Sequence, residues 1–215
     1  MNTKMSTLLA PPAEQRIRLS GISWETYERL LAEHEGRQSP RFTYDRGELE
    51  IMVISFEHEK ANRLLHDLFT VLAEERGIDF VNAGSTTLKR QDLERGFEPD
   101  TCIYIRNAAR VRGKRRIELP QDPPPDLVIE VDITSPSIDK MEIYMAMGVA
   151  EVWRYDGASL RFFMLEGRKY AARGESAVLP GLTSEVASSF LEDAKSEPRT
   201  VWSRRVREWA KAHPA

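Results

Sequence analysis

Asp126-Leu-Val-Ile-Glu-Val-Asp-Ile-Thr134 is the most hydrophobic run of the chain, and it carries two acids inside it. Its β-branched residues predict a central strand over Leu127–Ile133, covered on both faces. Side chains alternate along a strand, so Glu130 and Asp132 project to one face. A carboxylate placed there needs a cation or a dense set of hydrogen bonds, because desolvating a lone charge costs several kcal/mol or forces it to protonate.

Two solutions stand open. Either the acids sit at a strand end and pair with arginines, or they hold a metal ion. Few hard oxygen ligands, with water completing the shell, suit Mg2+ or Mn2+. Glu98-Pro99-Asp100, just before the apolar strand predicted over 100–105, supplies a further carboxylate. Lys140 lies in the first turn of a short helix predicted over 137–147 and ending at Gly148. Packed back beside the strand, that helix brings the lysine to the same pocket. Asp, Glu and Lys around one metal are the parts needed for metal-assisted phosphodiester hydrolysis. Taken alone, Lys140 reads as one more solvated helix lysine.

Upstream, Ser23 caps a helix running to about Glu35, with Trp24, Tyr27, Leu30 and Leu31 at helical spacing. Phe42 to Ser55 reads as a hairpin turning at Asp45-Arg46-Gly47-Glu48. Ala61, Leu65, Leu68 and Leu72 stripe a helix over 57–76, and a strand is expected over 80–90. Downstream, strands are expected over 151–155, 160–165 and 169–173, with Asp156-Gly157 as a turn, and a helix over 199–212. The fold class is therefore α/β (α+β), with a central mixed sheet flanked by helices. The organisation expected is a loosely ordered lead-in (1–20), one domain (21–195) and a basic C-terminal helix (196–215).

The 215 residues are 41% hydrophobic and 30% charged, which suits a soluble domain with a proper core. No apolar run approaches the roughly 20 residues that cross a bilayer, so no membrane partner is expected. The N-terminus has too little hydrophobic length for a secretory signal. Cys102 is the sole cysteine, which excludes an intrachain disulfide and an all-cysteine metal site and suits a cytoplasmic, reducing compartment. A net charge of −3 excludes polyelectrolyte-style binding by the whole chain. A local basic surface at Arg106, Arg110, Arg112, Lys114, Arg115 and Arg116 remains, and a second cluster lies at 199–211.

The segments Asp45-Arg-Gly-Glu-Leu49, Gly84–Arg90, Glu98-Pro-Asp100, Pro125–Ser135, Asp139–Tyr144 and Gly148–Asp156, in that order, resemble the Uma-type restriction endonuclease family of the PD-(D/E)XK nuclease superfamily. The resemblance covers about residues 22–195. It implies a restriction-endonuclease-like αβββαβ core and a Mg2+ (or Mn2+) site held by Asp100, Glu130 and the carbonyl of Val131. The function implied is hydrolysis of DNA phosphodiester bonds. A homodimer is expected by analogy, with the edge strands 160–173 as its interface.

The chain departs from the motif at one position. Asp132 stands where the motif has lysine, and Lys140 then serves as a lysine supplied by the following helix. Asp132 either joins the metal set or pairs with Lys140 and silences it. That departure leaves a second reading, a degenerate nuclease-like scaffold that binds nucleic acid or a protein partner without cleaving. His58 falls on the inward stripe of its helix and either assists at the site, with Glu59 beside it, or packs at the core margin. The loop 106–116 lies between the two acid-bearing strands and is expected to border the same cleft, where Arg112, Lys114, Arg115 and Arg116, joined by Lys89 and Arg90, meet phosphates; otherwise it is a solvated loop. Trp24, Tyr144 and Trp153 are read as core.

Overall fold

The structure, a computed structural model, describes residues 14–37, 39–133 and 138–214. The chain forms strand β1 (Glu14–Leu19), helix α1 (Trp24–Glu33), strands β2 (Arg41–Asp45) and β3 (Glu48–Ile54), and helix α2 (Phe56–Glu75). Four short strands follow: β4 (Val81–Gly84), β5 (Leu88–Arg90), β6 (Arg95–Phe97) and β7 (Thr101–Tyr104). Then come α3 (Ala108–Val111), β8 (Leu127–Val131), α4 (Lys140–Met147), β9 (Glu151–Tyr155), β10 (Leu160–Glu166), β11 (Lys169–Arg173), α5 (Ser184–Asp193) and α6 (Arg199–Ala212).

A six-stranded sheet in the order β11-β10-β9-β8-β7-β4 forms the centre, and β1-β3-β2-β6-β5 make a second, five-stranded antiparallel sheet. β8 is central and all five of its residues are buried, as its hydrophobic run requires. It runs antiparallel to β7 and parallel to β9, the one parallel pair among the described residues, and α4 makes the crossover. Helix α2, antiparallel β4, β7 and β8, helix α4 and parallel β9 are the expected αβββαβ order. Leu127, Ile129 and Val131 pack toward α2, α5 and α6 in one cluster, while Val128 faces a second cluster with Ile143, Tyr144 and Met147 of α4 and Phe97 of β6. Glu130 shares the face of Val128.

Local chemistry sets the boundaries. Ser23, Ser55 and Thr183 accept a backbone hydrogen bond at the N-termini of α1, α2 and α5. The β2–β3 turn needs positive φ at both Arg46 (49°) and Gly47 (93°), the pattern of a two-residue hairpin loop. Trp24, Tyr27, Phe42, Tyr44 and Leu49 close a third cluster between α1 and this hairpin.

Three expectations change. Residues 14–19 are not a loose lead-in: β1 pairs along its length with β3, from Glu14–Ile54 to Leu19–Leu49. Its apolar residues Ile17 and Leu19 are exposed, so no inward periodicity marks the strand. The single strand expected over 80–90 is two strands in different sheets, β4 on β7 and β5 on β6. Helix α5 was not expected, although Val186, Ala187, Phe190 and Leu191 stand at helical spacing behind the Thr183 cap. Residues 1–13 of the expected lead-in, and 134–137, which include the expected start of the crossover helix, lie outside the described residues.

Candidate active site

Asp100 immediately precedes β7, and Glu130 lies on β8. The β7–β8 register pairs Thr101 with Ile129, so its next step sets Asp100 opposite Glu130. Both are buried, at 2% exposure each. Burial raises the carboxyl pKa of Glu130, and the nearby charges of Asp100 and Asp132 add to this, only partly offset by Lys140. Burial pushes Asp100 the same way, but Arg41, His58 and Lys140 outweigh it and hold its pKa well below the usual carboxylate range.

Helix α4 supplies the partners of Glu130. Asp139 caps the helix by accepting from Met141 N, and this makes Lys140 its first residue. Lys140 Nζ donates to Glu130 Oε2 at 2.8 Å, and Tyr144 Oη donates to Glu130 Oε1 at 2.6 Å. Residues 140 and 144 are one turn apart on the same helical face, so two side chains of α4 close on one carboxylate. Burial lowers the ammonium pKa of Lys140, but Glu130 and Asp100 more than compensate and raise it, which keeps the group cationic. Asp132 is not the partner of Lys140. It pairs instead with Arg154 of β9, at 2.7 Å from Nε to Oδ2.

Asp100 draws on three other elements. Arg41 of β2 donates Nη1 to Asp100 Oδ1. His58 Nε2 of α2 lies 3.2 Å from Asp100 Oδ2, and Val131 N donates to the same oxygen at 2.7 Å. Asn62 Nδ2 donates to the Asp100 carbonyl, and its own Oδ1 accepts from Thr101 Oγ1. His58 is fully buried on the inward face. Glu59 pairs with Arg63 at 2.7 Å.

The two carboxylates open onto different cavities. One, of about 230 Å³, is lined by Glu130, Asp132, Lys140, Tyr144 and Arg154. The other, of about 360 Å³, is lined by Asp100, Arg41, Asn62, Arg63, Asn82 and Ser85, among others. Among the described residues, no three His, Cys, Asp or Glu side chains gather as a metal-holding group. The donors nevertheless suit Mg2+ or Mn2+, which need only one or two carboxylates when water and substrate oxygens complete the shell. Glu130, raised by burial and like charge, is the carboxylate a cation would most relieve.

None of the six expected phosphate-binding cations lines either cavity. The loop after β7 leaves at the end opposite Asp100, where Arg106 pairs with Asp126 just ahead of β8. Arg90, Arg112 and Lys114 pair with Asp92, Asp79 and Asp122. Lys89, Arg115 and Arg116 line a third cavity, of about 520 Å³, against α1. There Lys89 pairs with Glu28 and Arg116 with Glu35. The basic loop therefore lines neither acid's cavity, because β7 carries the chain to the end of the strand opposite Asp100 before it turns back.

Residues 24–192 match the model of the Uma2 family, described as "Putative restriction endonuclease". The chain belongs to the Uma2 family. No curated protein matches this Uma2-family chain. A crystal structure from Anabaena variabilis, described as a "putative nuclease belonging to DUF820", is similar at 14% identity and a TM-score of 0.48, covering 79% of this chain and 99% of that one. No helix among the described residues is long and apolar enough to cross a membrane.

Sequence reasoning missed three participants. Arg41 is a strand residue whose alternation gives no sign of a buried carboxylate partner 59 positions away. Asn62 sits on the inward stripe of α2 as its polar member, a signal that was readable. Tyr144 is core, as expected, but its hydroxyl also serves Glu130.

Proposed function

We propose that this Uma2-family chain is a Mg2+- or Mn2+-dependent endonuclease that hydrolyses DNA phosphodiester bonds. One observation carries the reading: Lys140 stands 2.8 Å from Glu130 in a cavity large enough for a phosphate, with Asp100 on the adjacent strand. Asp100 and Glu130, with the Val131 carbonyl, would hold the metal. Bound there, it would supply Lewis acidity toward the scissile phosphate and a more acidic attacking water. Lys140, kept cationic by its two acids, acts as an electrostatic stabiliser of the charged phosphoryl group rather than as a base. His58 positions Asp100. Asp132 lines the Glu130 cavity and is a further candidate ligand. Lys89, Arg115 and Arg116, on the third cavity, stand as contacts for more distant phosphates, and the β11 edge as the face of a homodimer.

A second reading has its own support. Arg41 and Lys140 already neutralise the two buried acids, as in a scaffold that binds without cleaving. Titration of Mn2+ into the wild type and Glu130→Gln, paired with nicking of supercoiled plasmid, separates the two. Binding lost in the variant, with nicking that follows it, supports the nuclease. DNA binding without metal uptake or nicking supports the scaffold.

A further inference from the structure

Arg41 is held in a way that its carboxylate partner does not exhaust. The Arg41–Asp100 pair is 5% and 1% exposed, and Arg41 Nη1 also donates to the Pro99 carbonyl at 3.1 Å. Arg41 Nε is buried with no hydrogen-bond partner. The same two residues line the cavity of about 360 Å³, whose other walls carry the amides of Asn62 and Asn82, the Ser85 hydroxyl and the Arg63 guanidinium.

A divalent cation arriving at Asp100 would stand beside this guanidinium, and like charges at such range repel strongly outside bulk water. Arg41 would then lose its carboxylate while still buried, and a buried charge without a partner is the costly case. An anion in the adjoining cavity resolves it. The planar guanidinium fork matches a phosphate, and the neutral donors around it add hydrogen bonds without competing charge. The acid at the rim, Glu59, is already engaged with Arg63.

We propose that Arg41 is a relay between metal and substrate: it neutralises Asp100 at rest and, when a divalent cation takes Asp100, turns to a phosphate of the nucleic acid seated in the cavity between α2 and β4. This deepens the metal-dependent reading above and rests on it. Without substrate, Arg41 competes with the cation for Asp100. With substrate, metal and phosphate each strengthen the binding of the other, as linkage requires.

The test is Mn2+ titration into the wild type and Arg41→Met, each with and without a DNA duplex. The wild type should bind Mn2+ about tenfold more tightly with the duplex present, the scale of one hydrogen bond to a charged group. Arg41→Met should bind Mn2+ alone more tightly than the wild type and keep only the smaller tightening that phosphate oxygens on the metal itself supply. Equal wild-type affinity in both conditions, tightening in Arg41→Met as large as in the wild type, or no gain for that variant in Mn2+ alone overturns the relay. Should Arg41→Met fail to fold, the double variant Arg63→Ala/Ser85→Ala leaves the partners of Asp100 in place. It should bind Mn2+ alone as the wild type does and lose most of the duplex effect, and full retention of that effect overturns the relay. Mn2+ binding without coupling defeats the relay alone, whereas no Mn2+ binding in either condition defeats the metal-dependent reading along with it.

Discussion

Tyr144 donates a hydroxyl hydrogen bond to Glu130 Oε1 at 2.6 Å, from inside the core. The tyrosine is 1% exposed and its ring meets Phe97 edge-on at 4.7 Å. Tyr144→Phe keeps that packing and removes one donor from a buried carboxylate. Unfolding by urea should show a loss of about 1–3 kcal/mol, the cost of leaving a buried acceptor short of a partner. Plasmid nicking should fall with it, since Glu130 is then held by Lys140 alone. An unchanged midpoint and unchanged nicking would show that the bond contributes nothing.

Lys140→Met strands Glu130 more severely, because it removes the cation of a buried pair. A loss of about 3–5 kcal/mol is expected at neutral pH. Glu130→Gln/Lys140→Met, which removes both charges, should recover part of that loss without recovering activity. A double-mutant cycle in urea reads the coupling directly.

Asp132 offers the contrast. Arg154 holds it, so Asp132→Asn should leave the Lys140–Glu130 pair intact. Mn2+ affinity should fall less than in Glu130→Gln. A larger fall would make Asp132 the principal ligand of the cavity.

Acid stability follows from Asp100. Its pKa is depressed in the folded state, so its ion pairing contributes stability that is fully present above the ordinary aspartate value of about 3.9 and is lost as pH falls through the lower folded value. Glu130 runs the other way, because a raised folded pKa favours the fold at low pH and opposes it as pH rises through that value. Asp100→Asn should therefore be less stable than the wild type at neutral pH, and the gap should begin to narrow below about pH 4 and shrink steadily as pH falls further. Thermal melts across that range check it, and a constant gap would show that Asp100 is not the titrating group.

Gly96 tests the smaller sheet. A Cβ there would overlap the buried Tyr27 ring, which is stacked on Tyr44. Gly96→Ala should cost about 1–3 kcal/mol by overpacking, read from the same urea melts.

The sequence was legible where one physical demand dominates. Acids inside the β8 run had to be partnered, and Lys140 beside Glu130 answered that demand. Ser23 announced α1 by capping, and the stripe of Ala61, Leu65, Leu68 and Leu72 announced α2. Legibility ended where the demand is met from far along the chain. Nothing near Arg41 marks it as the partner of Asp100, because that pairing depends on how the smaller sheet meets the larger one. The basic loop misled for a related reason: adjacency in sequence to two acid-bearing strands says nothing about which end of β7 the loop leaves. β1 was hidden because it is an edge strand whose Ile17 and Leu19 face solvent.

Helix α4 is both the crossover from β8 to β9 and the carrier of Lys140 and Tyr144. Glu130 therefore has no protein cation until that crossover has docked, and a half-assembled sheet with β7 and β8 paired would bury a bare carboxylate. Such an intermediate is penalised, so β8 and α4 must form and open as one cooperative unit. Their amide protons should exchange with solvent together, at a single free energy, which ties the integrity of the site to the docking of the crossover.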